Sequence, residues 1–338
     1  MKTTVLVVGG AGYIGSHMVK RLDQAGYFPV VLDNMSQGHQ DAVTAGQLIV
    51  SDLGEVHALD VVFQAYRIAA VMHFASFIQV GESVVLPGKY YDNNVGNTVR
   101  LLEAMVRHGV DNFIFSSSAA IFGDPDYVPI DEKHPMRPIN PYGRSKLMVE
   151  QILDDFTHAH GLESVCLRYF NAAGADPEGL LGERHEPETH LIPLVLQVAS
   201  GRREAITVFG RDYDTPDGTC IRDYIHVQDL CDVHLLALDS LLSGGSGGHY
   251  NLGNGNGYSV AEVIAAAEKV TGKKIAQIDG ARREGDPPRL VADSLLAQKK
   301  LGWVPRMADL DTIIQHAWQW EQKRFIEKTN ISEQAHLK

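Results

Sequence analysis

Through the first half of the chain, short and almost wholly apolar runs alternate with longer segments whose apolar residues recur at helical spacing. The runs Thr4–Val8, Pro29–Leu32, Leu48–Val50, Ala70–Phe74, Asn112–Ser116 and Ser164–Tyr169 read as strands. The segments Ile14–Ala25, Glu55–Ala65, Asn94–His108, Pro141–His160 and Val227–Leu242 read as helices. The strands lack the in–out alternation of a half-exposed sheet, so they are predicted to be buried on both faces. Strand, helix and strand at this rhythm imply an α/β fold, a doubly wound parallel sheet with helices on both sides.

After Asn171 the texture changes. Pro177, Gly179, Gly182, Pro187 and Pro193 punctuate a loop-rich stretch, and Tyr213–Thr219 forms another turn cluster. Helical spacing returns at Ser259–Thr271, where Ser259 and Glu262 suit a capping box, and at Asp309–Arg324. The segment 243–248 reads as a surface loop ending a helix, and Gly253-Asn-Gly255-Asn-Gly257 as a turn.

Composition narrows the class. A length of 338 residues with 44% hydrophobic residues supports about two globular domains. The net charge of -12 argues against general nucleic-acid binding, which relies on Lys and Arg neutralising phosphates. Cys166, Cys220 and Cys231 form no CxxC pair and read as reduced packing residues. Met1–Thr4 runs straight into the first strand with no signal-peptide core, and no apolar run is long enough to span a bilayer. A cytoplasmic protein without membrane association is expected.

Gly9, Gly12 and Gly15 follow the first strand and open the first helix, which marks the sheet as Rossmann-like. The spacing allows a tight turn, a backbone bare enough for a pyrophosphate, and close helix–strand packing, while the helix N-terminus offers free N–H groups. Asp33 ends the second strand where a carboxylate would accept bonds from an adenosine ribose. That carboxylate repels a 2′-phosphate, and Asn34-Met35-Ser36 supplies no cation, so the cofactor indicated is NAD and not NADP.

Tyr142 and Lys146 stand four apart near a helix start and share a face. A phenol is a poor base at neutral pH, but a neighbouring ammonium and an oxidised nicotinamide both favour the phenolate. Ser116-Ser117-Ser118 follows a strong strand, where strand ends meet ligands in open α/β sheets, and Ser118 is placed to bond the hydroxyl that Tyr142 deprotonates.

On these residues the chain resembles the extended short-chain dehydrogenase/reductase family and, within it, the UDP-glucose (UDP-galactose) 4-epimerases. The resemblance runs from about Thr4 to Trp320 through GGAGYIGSH (Gly9–His17), HFA (His73–Ala75), VGESV (Val80–Val84), YYDNNV (Tyr90–Val95), FSSSA (Phe115–Ala119), PYGRSKLMVEQIL (Pro141–Leu153), LRYFNAAGA (Leu167–Ala175), DGTCIRDYIHV (Asp217–Val227) and RREGDPPRLVA (Arg282–Ala292). It implies Tyr142 as catalytic base, Ser118 as its partner, and Lys146 binding the nicotinamide ribose and lowering the Tyr142 pKa. It implies Gly9, Gly12, Tyr13, Ile14, Gly15, Asp33, Asn34, Asp52, Leu53, Phe74, Ala75, Asn93, Ser116, Tyr142, Lys146 and Tyr169 around NAD. Around a UDP-hexose it implies Ser118, Tyr142, Asn171, Leu191, Phe209, Arg222, Tyr224, Arg283, Asp286 and Leu290. Arg222 and Arg283 suit a diphosphate, which guanidinium binds through paired charge-assisted bonds. The implied organisation is an NAD-binding domain over 1–171 plus about 226–256. A smaller mixed α/β substrate-binding domain takes about 172–225 plus 257–325, and a polar tail covers 326–338.

The family's sugar-nucleotide dehydratases carry an acidic pair after the Ser/Thr of this motif; here Ser118 is followed by Ala119-Ala120-Ile121-Phe122. The resemblance therefore implies reversible, redox-neutral 4-epimerisation of UDP-galactose and UDP-glucose through a transient 4-keto sugar and bound NADH. Departures from the family pattern are Val8, Ile78, Phe122, His190 and, at the far end of the hexose pocket, Leu290 where some epimerases carry Tyr. The shorter Leu290 leaves room for an N-acetyl group, so UDP-N-acetylglucosamine is an alternative substrate, as is a UDP-pentose. A non-catalytic NAD-binding regulator and a net oxidoreductase using free NAD(P)H are readings from other classes. The resemblance also implies a homodimer with a four-helix interface built from Asn94–His108 and Pro141–His160.

No metal site is expected. In His185-Glu186-Pro187-Glu188-Thr189-His190 the histidines are five apart with a proline between, so one helical face does not present both. His73 reads as a packed strand-end residue and Cys166 as plain core.

Overall fold

The computed structural model describes residues 2–283 and 286–336, with side chains described as far as Arg324. Strands β1 (Thr4–Val8), β2 (Phe28–Asp33), β3 (Gln47–Val50), β4 (Ile68–His73), β5 (Asn112–Ser118) and β6 (Glu163–Tyr169) form one sheet. Four short strands follow, β7 (Asn171–Ala173), β8 (Ile206–Phe209), β9 (Ile221–His226) and β10 (Gly248–Leu252), and β10 returns to that first sheet. Its order is β10-β6-β5-β4-β1-β2-β3, and every neighbouring pair is parallel. The chain moves outward from β1 in both directions, so the crevice where the order reverses lies beyond the carboxyl end of β1, beside β4.

Both faces of this sheet are covered. Along β1, Val5 and Val7 join one apolar core and Leu6 and Val8 another, all essentially inaccessible, which is why the run shows no alternation. Helices Tyr13–Gln24 and Val227–Leu242 close the first face, the one with Met18, Val19 and Leu22 and the other with Leu230, Val233, Leu238 and Leu241. Helices Asn97–His108 and Pro141–His160 close the second with Leu101, Leu102, Met105, Val149 and Leu153.

The remaining strands are β11 (Gly257–Ser259), β12 (Gln277–Gly280) and β13 (Arg289–Leu290). Strand β9 is a hub: it pairs antiparallel with β11 and parallel with both β13 and β7, while β8 and β12 form a parallel pair. A third core lies here, built from Ile192, Val195, Leu196, Val208, Val263, Ile264, Ile313 and Ile314. Ser259 caps helix Val260–Thr271 with the reciprocal Glu262 bond anticipated from the sequence.

The structure departs from the sequence reading in several elements. Strand β5 runs on to Ser118, and β10 had not been anticipated. The helix expected from Asn94 opens with a π-helical turn, Tyr91–Gly96, before Asn97–His108. In the stretch read as loop, Leu191–Ala199 is helical. The last helix spans Leu310–His336, past the expected end at Arg324, so the tail read as 326–338 continues it as far as described; Leu337 and Lys338 lie outside the described residues.

Candidate functional site

The glycine loop shows why its residues are glycine. A Cβ on Gly9, whose φ is +79°, would lie 2.5 Å from the backbone nitrogen of Ala75, and one on Gly15 would lie 2.2 Å from the carbonyl of Gly9. Gly12 differs: a Cβ there meets only the Gly9 carbonyl, at 3.4 Å, so its other side is open. Helix Tyr13–Gln24 begins here with no side-chain cap and no acidic residue in its first turn, leaving its N–H groups and partial positive charge turned to that opening. This is a cradle shaped for a pyrophosphate, as a dinucleotide requires.

Asp33 is buried at the end of β2 and braces the cradle. Its Oδ2 accepts from the Ala11 N–H and its Oδ1 from the Met35 N–H, both at 2.9 Å. Asn34 donates to Asp52 at 2.7 Å, with Leu53 packed beneath. Phe74 and Ala75 follow β4, their N–H groups both bonded to the Val8 carbonyl, which ties the β4 exit to the β1 exit. Asn93 lies in the π-helical turn, its amide bonded to Asn94. Tyr13 donates to the Gly174 carbonyl at 2.7 Å, bridging the loop to the start of the second half.

Ser118, Tyr142 and Lys146 converge where β5 ends and helix Pro141–His160 begins. Asn140 caps that helix through the Gly143 N–H, and Pro141 occupies its first turn. Lys146 is buried, donates to the Ser116 carbonyl at 2.8 Å, and lies 5.9 Å from the Tyr142 ring centre. Burial holds its amine down to about 7, opposed by the Glu150 carboxylate one turn on. Burial pushes the Tyr142 phenol above its ordinary value, and the Ser118 hydroxyl bonded to it pulls it partly back. The bond to Ser116 uses one of the three donors of the Lys146 ammonium and leaves the others toward the crevice. Ser116 and Tyr169, in adjacent strands, bond each other through their hydroxyls.

On the other side of the crevice, the β9 hub gathers residues from distant segments. Asn171 on β7 stands opposite Tyr224 on β9 and donates to the Asp223 carbonyl at 3.0 Å; Leu290 on β13 stands opposite Arg222. Arg222 pairs with Asp286, and Arg283 lies 4.1 Å over the Phe209 ring. Leu290 packs on the small cluster of Ala119, Ile121, Phe122 and Ile130, beside the exit of β5. Leu191 opens helix Leu191–Ala199 against the third core.

Two groups escaped the sequence reading. Glu150 and Arg168 form a buried bidentate pair, with Ser117 donating to Glu150 at 2.5 Å. The signal was a charged residue inside an apolar strand, which demands a partner. Near the cradle, Glu183, His185, Glu188 and His190 gather in the loop before Leu191. The helix geometry used to set the two histidines apart does not apply, because no helix forms there and both rings reach the same Glu183 carboxylate. His73, by contrast, is packed as anticipated, bonded to Thr98 and held to about 3 by burial. All three cysteines are buried and free.

Residues 5–253 match the model of the NAD dependent epimerase/dehydratase family. The chain is 52% identical over 320 residues to a UDP-glucose 4-epimerase of Rhizobium meliloti, an alignment covering 95% of this chain and 97% of that one. Among solved structures it resembles UDP-glucose 4-epimerase from Brucella ovis in complex with NAD, at 51% identity and TM-score 0.92, covering 94% and 97% of the two chains. It also resembles the enzyme from Bifidobacterium longum in complex with NAD+ and UDP, at 41% identity and TM-score 0.91, covering 95% and 98%.

Proposed function

This chain belongs to the NAD dependent epimerase/dehydratase family, and from that premise we propose that it interconverts UDP-galactose and UDP-glucose by redox-neutral epimerisation at C4, with NAD as its cofactor. The observation that carries the reading is the meeting of Tyr142, Ser118 and Lys146 at the β5 exit, next to the open cradle at Gly12. NAD, when bound, supplies the hydride acceptor that becomes the donor of the return step.

The chain's own residues do the rest. Tyr142 takes the proton of the sugar O4 and later returns it, and Ser118 holds the same hydroxyl in line. Lys146, fixed on the Ser116 carbonyl, holds the nicotinamide ribose. Gly9, Gly12, Tyr13, Ile14 and Gly15 receive the pyrophosphate, while Asp33, Asn34, Asp52 and Leu53 border the adenosine end. Phe74, Ala75, Asn93, Ser116 and Tyr169 line the nicotinamide end. Arg222 and Arg283 grip the UDP diphosphate, with Asp286, Phe209, Tyr224, Leu191 and Asn171 around it and Leu290 at the hexose end. The sugar, passing through a 4-keto form, turns over between hydride departure and return, so the grip belongs on UDP and not on the hexose. With Ala119 and Ala120 after Ser118, no carboxylate is in place for eliminating water.

Residues 1–171 with about 226–256 then serve NAD, and about 172–225 with 257–325 serve the UDP-sugar. We further propose a cytoplasmic homodimer. Among the described residues, no helix is long and apolar enough to cross a membrane. On helix Pro141–His160, exposed Met148 and half-buried Ile152 and Phe156 follow at four-residue spacing, an apolar stripe suited to a partner helix.

Purified protein given UDP-galactose and no added NAD should form UDP-glucose, read by NMR, without net NADH. No conversion, even with NAD supplied, would sink the epimerase reading. Tyr142→Phe should lower the rate by roughly 10²–10⁴-fold, the usual worth of a general base.

A further inference from the structure

The loop 183–190 lies between Tyr13 of the cofactor cradle and Leu191, and it is firmly anchored. Trp320 donates to the Glu183 carbonyl at 3.1 Å, His39 meets the Arg184 carbonyl at 3.1 Å, and Arg184 forms a forked pair with Asp41. Within it, His185 Nδ1 stands 3.0 Å from Glu183 Oε1 and 3.8 Å from Glu188 Oε1; His190 Nδ1 stands 3.7 Å from Glu188 Oε1 and contacts Glu183 Oε1. All four atoms lie within 4.8 Å of one another. Ligands about 2.1 Å from a tetrahedral zinc ion stand about 3.4 Å apart, the middle of the separations found.

Three further observations favour an ion at the centre of the four. His185 Nδ1 is buried and, although close to a carboxylate, makes no hydrogen bond of acceptable geometry. Glu188 Oε1 is aimed by the N–H groups of Thr189 and His190, at 2.8 and 2.9 Å, before any partner arrives. Without an ion the two carboxylates hold both imidazoles toward their protonated form. An ion takes the place of those protons and leaves two carboxylates with two neutral imidazoles, whose two negative charges match a divalent cation. Mixed nitrogen and oxygen donors select zinc-like metals over calcium or magnesium. We propose that Glu183, His185, Glu188 and His190 form a binding site for one divalent transition-metal ion of the zinc class, pinning this loop between the cofactor cradle and the substrate-side helix. This reverses the expectation of no metal drawn from the sequence, and it stands independently of the epimerase reading.

The test uses the NAD-loaded protein stripped with a chelator and titrated with zinc by calorimetry, with cobalt as a second probe for the visible d–d bands of a tetrahedral site. One ion per chain is expected. His185→Gln and Glu188→Gln should each weaken binding by more than about tenfold, the lower end of the loss seen when mere supports of a ligand are removed. His108→Gln, remote and paired with Asp60, should bind as the parent does. Circular dichroism would confirm that each variant is folded. No stoichiometric ion, or equal binding by all three variants, overturns the site and leaves a knot of shared protons.

Discussion

Lys146 is a cation placed where burial disfavours its charge. Held to about 7 when folded, against an ordinary 10.5, it binds fewer protons in the folded state than in the unfolded one between those values. Stability therefore rises with pH across the window from about 7 to 10.5 and is lost as pH falls through it, by up to about 1.4 kcal/mol per unit for one group. Chemical denaturation of the parent and of Lys146→Met, under equal cofactor loading, should show the parent gaining on the variant between pH 7 and 10. A constant difference would refute this. Tyr142, Lys146 and Ser118 were legible because helix spacing and a strand exit are local properties. Their charge states were not, because burial comes from segments far away in sequence. The lowering of the Lys146 amine is such a case: it comes from burial, opposed by Glu150, and no spacing in the sequence reports it.

At the scale of elements, the pair Glu150–Arg168 fastens helix Pro141–His160 to β5 and β6, since Ser117 joins the same carboxylate and lies opposite Arg168 in the sheet. Ser116 and Ser118 flank that fastening point, so the strand end that meets Lys146 and Tyr142 depends on it. Glu150→Ala would strand a buried guanidinium and should cost about 3–5 kcal/mol, well beyond a surface pair. Glu150→Leu with Arg168→Met should recover most of that loss in the same denaturation assay. A single variant costing under about 1 kcal/mol would mean that water reaches the pair. The large sheet was legible from its apolar runs, but the strands of the second half were not. β13 has two residues and β7 three, too few for a period, and each takes its place from β9, a partner far along the chain. The meeting of both histidines on Glu183 in the loop 183–190 was not legible for the same reason: its path is set by Trp320, His39 and Asp41, not by its own spacing.

For the whole molecule, the apolar stripe of Met148, Ile152 and Phe156 predicts a light-scattering mass of twice the 37.1 kDa chain. Met148→Glu should shift that mass toward one chain; an unchanged parent-like mass would place the interface elsewhere. The winding of the chain through its two halves has a further consequence. β10 closes the edge beside β6, and helix Val227–Leu242 roofs the part of the face formed by Met72, Ile114, Val165 and Leu167 on β4, β5 and β6, beside the strip already covered by helix Tyr13–Gln24. Both arrive only after the chain has left for the second half and come back. On a ribosome adding roughly 5–20 residues per second, the first six strands emerge several seconds before their roof. For that interval the nascent chain carries an apolar sheet face to the exit tunnel's mouth, which makes it a natural client for whatever shields newborn chains there.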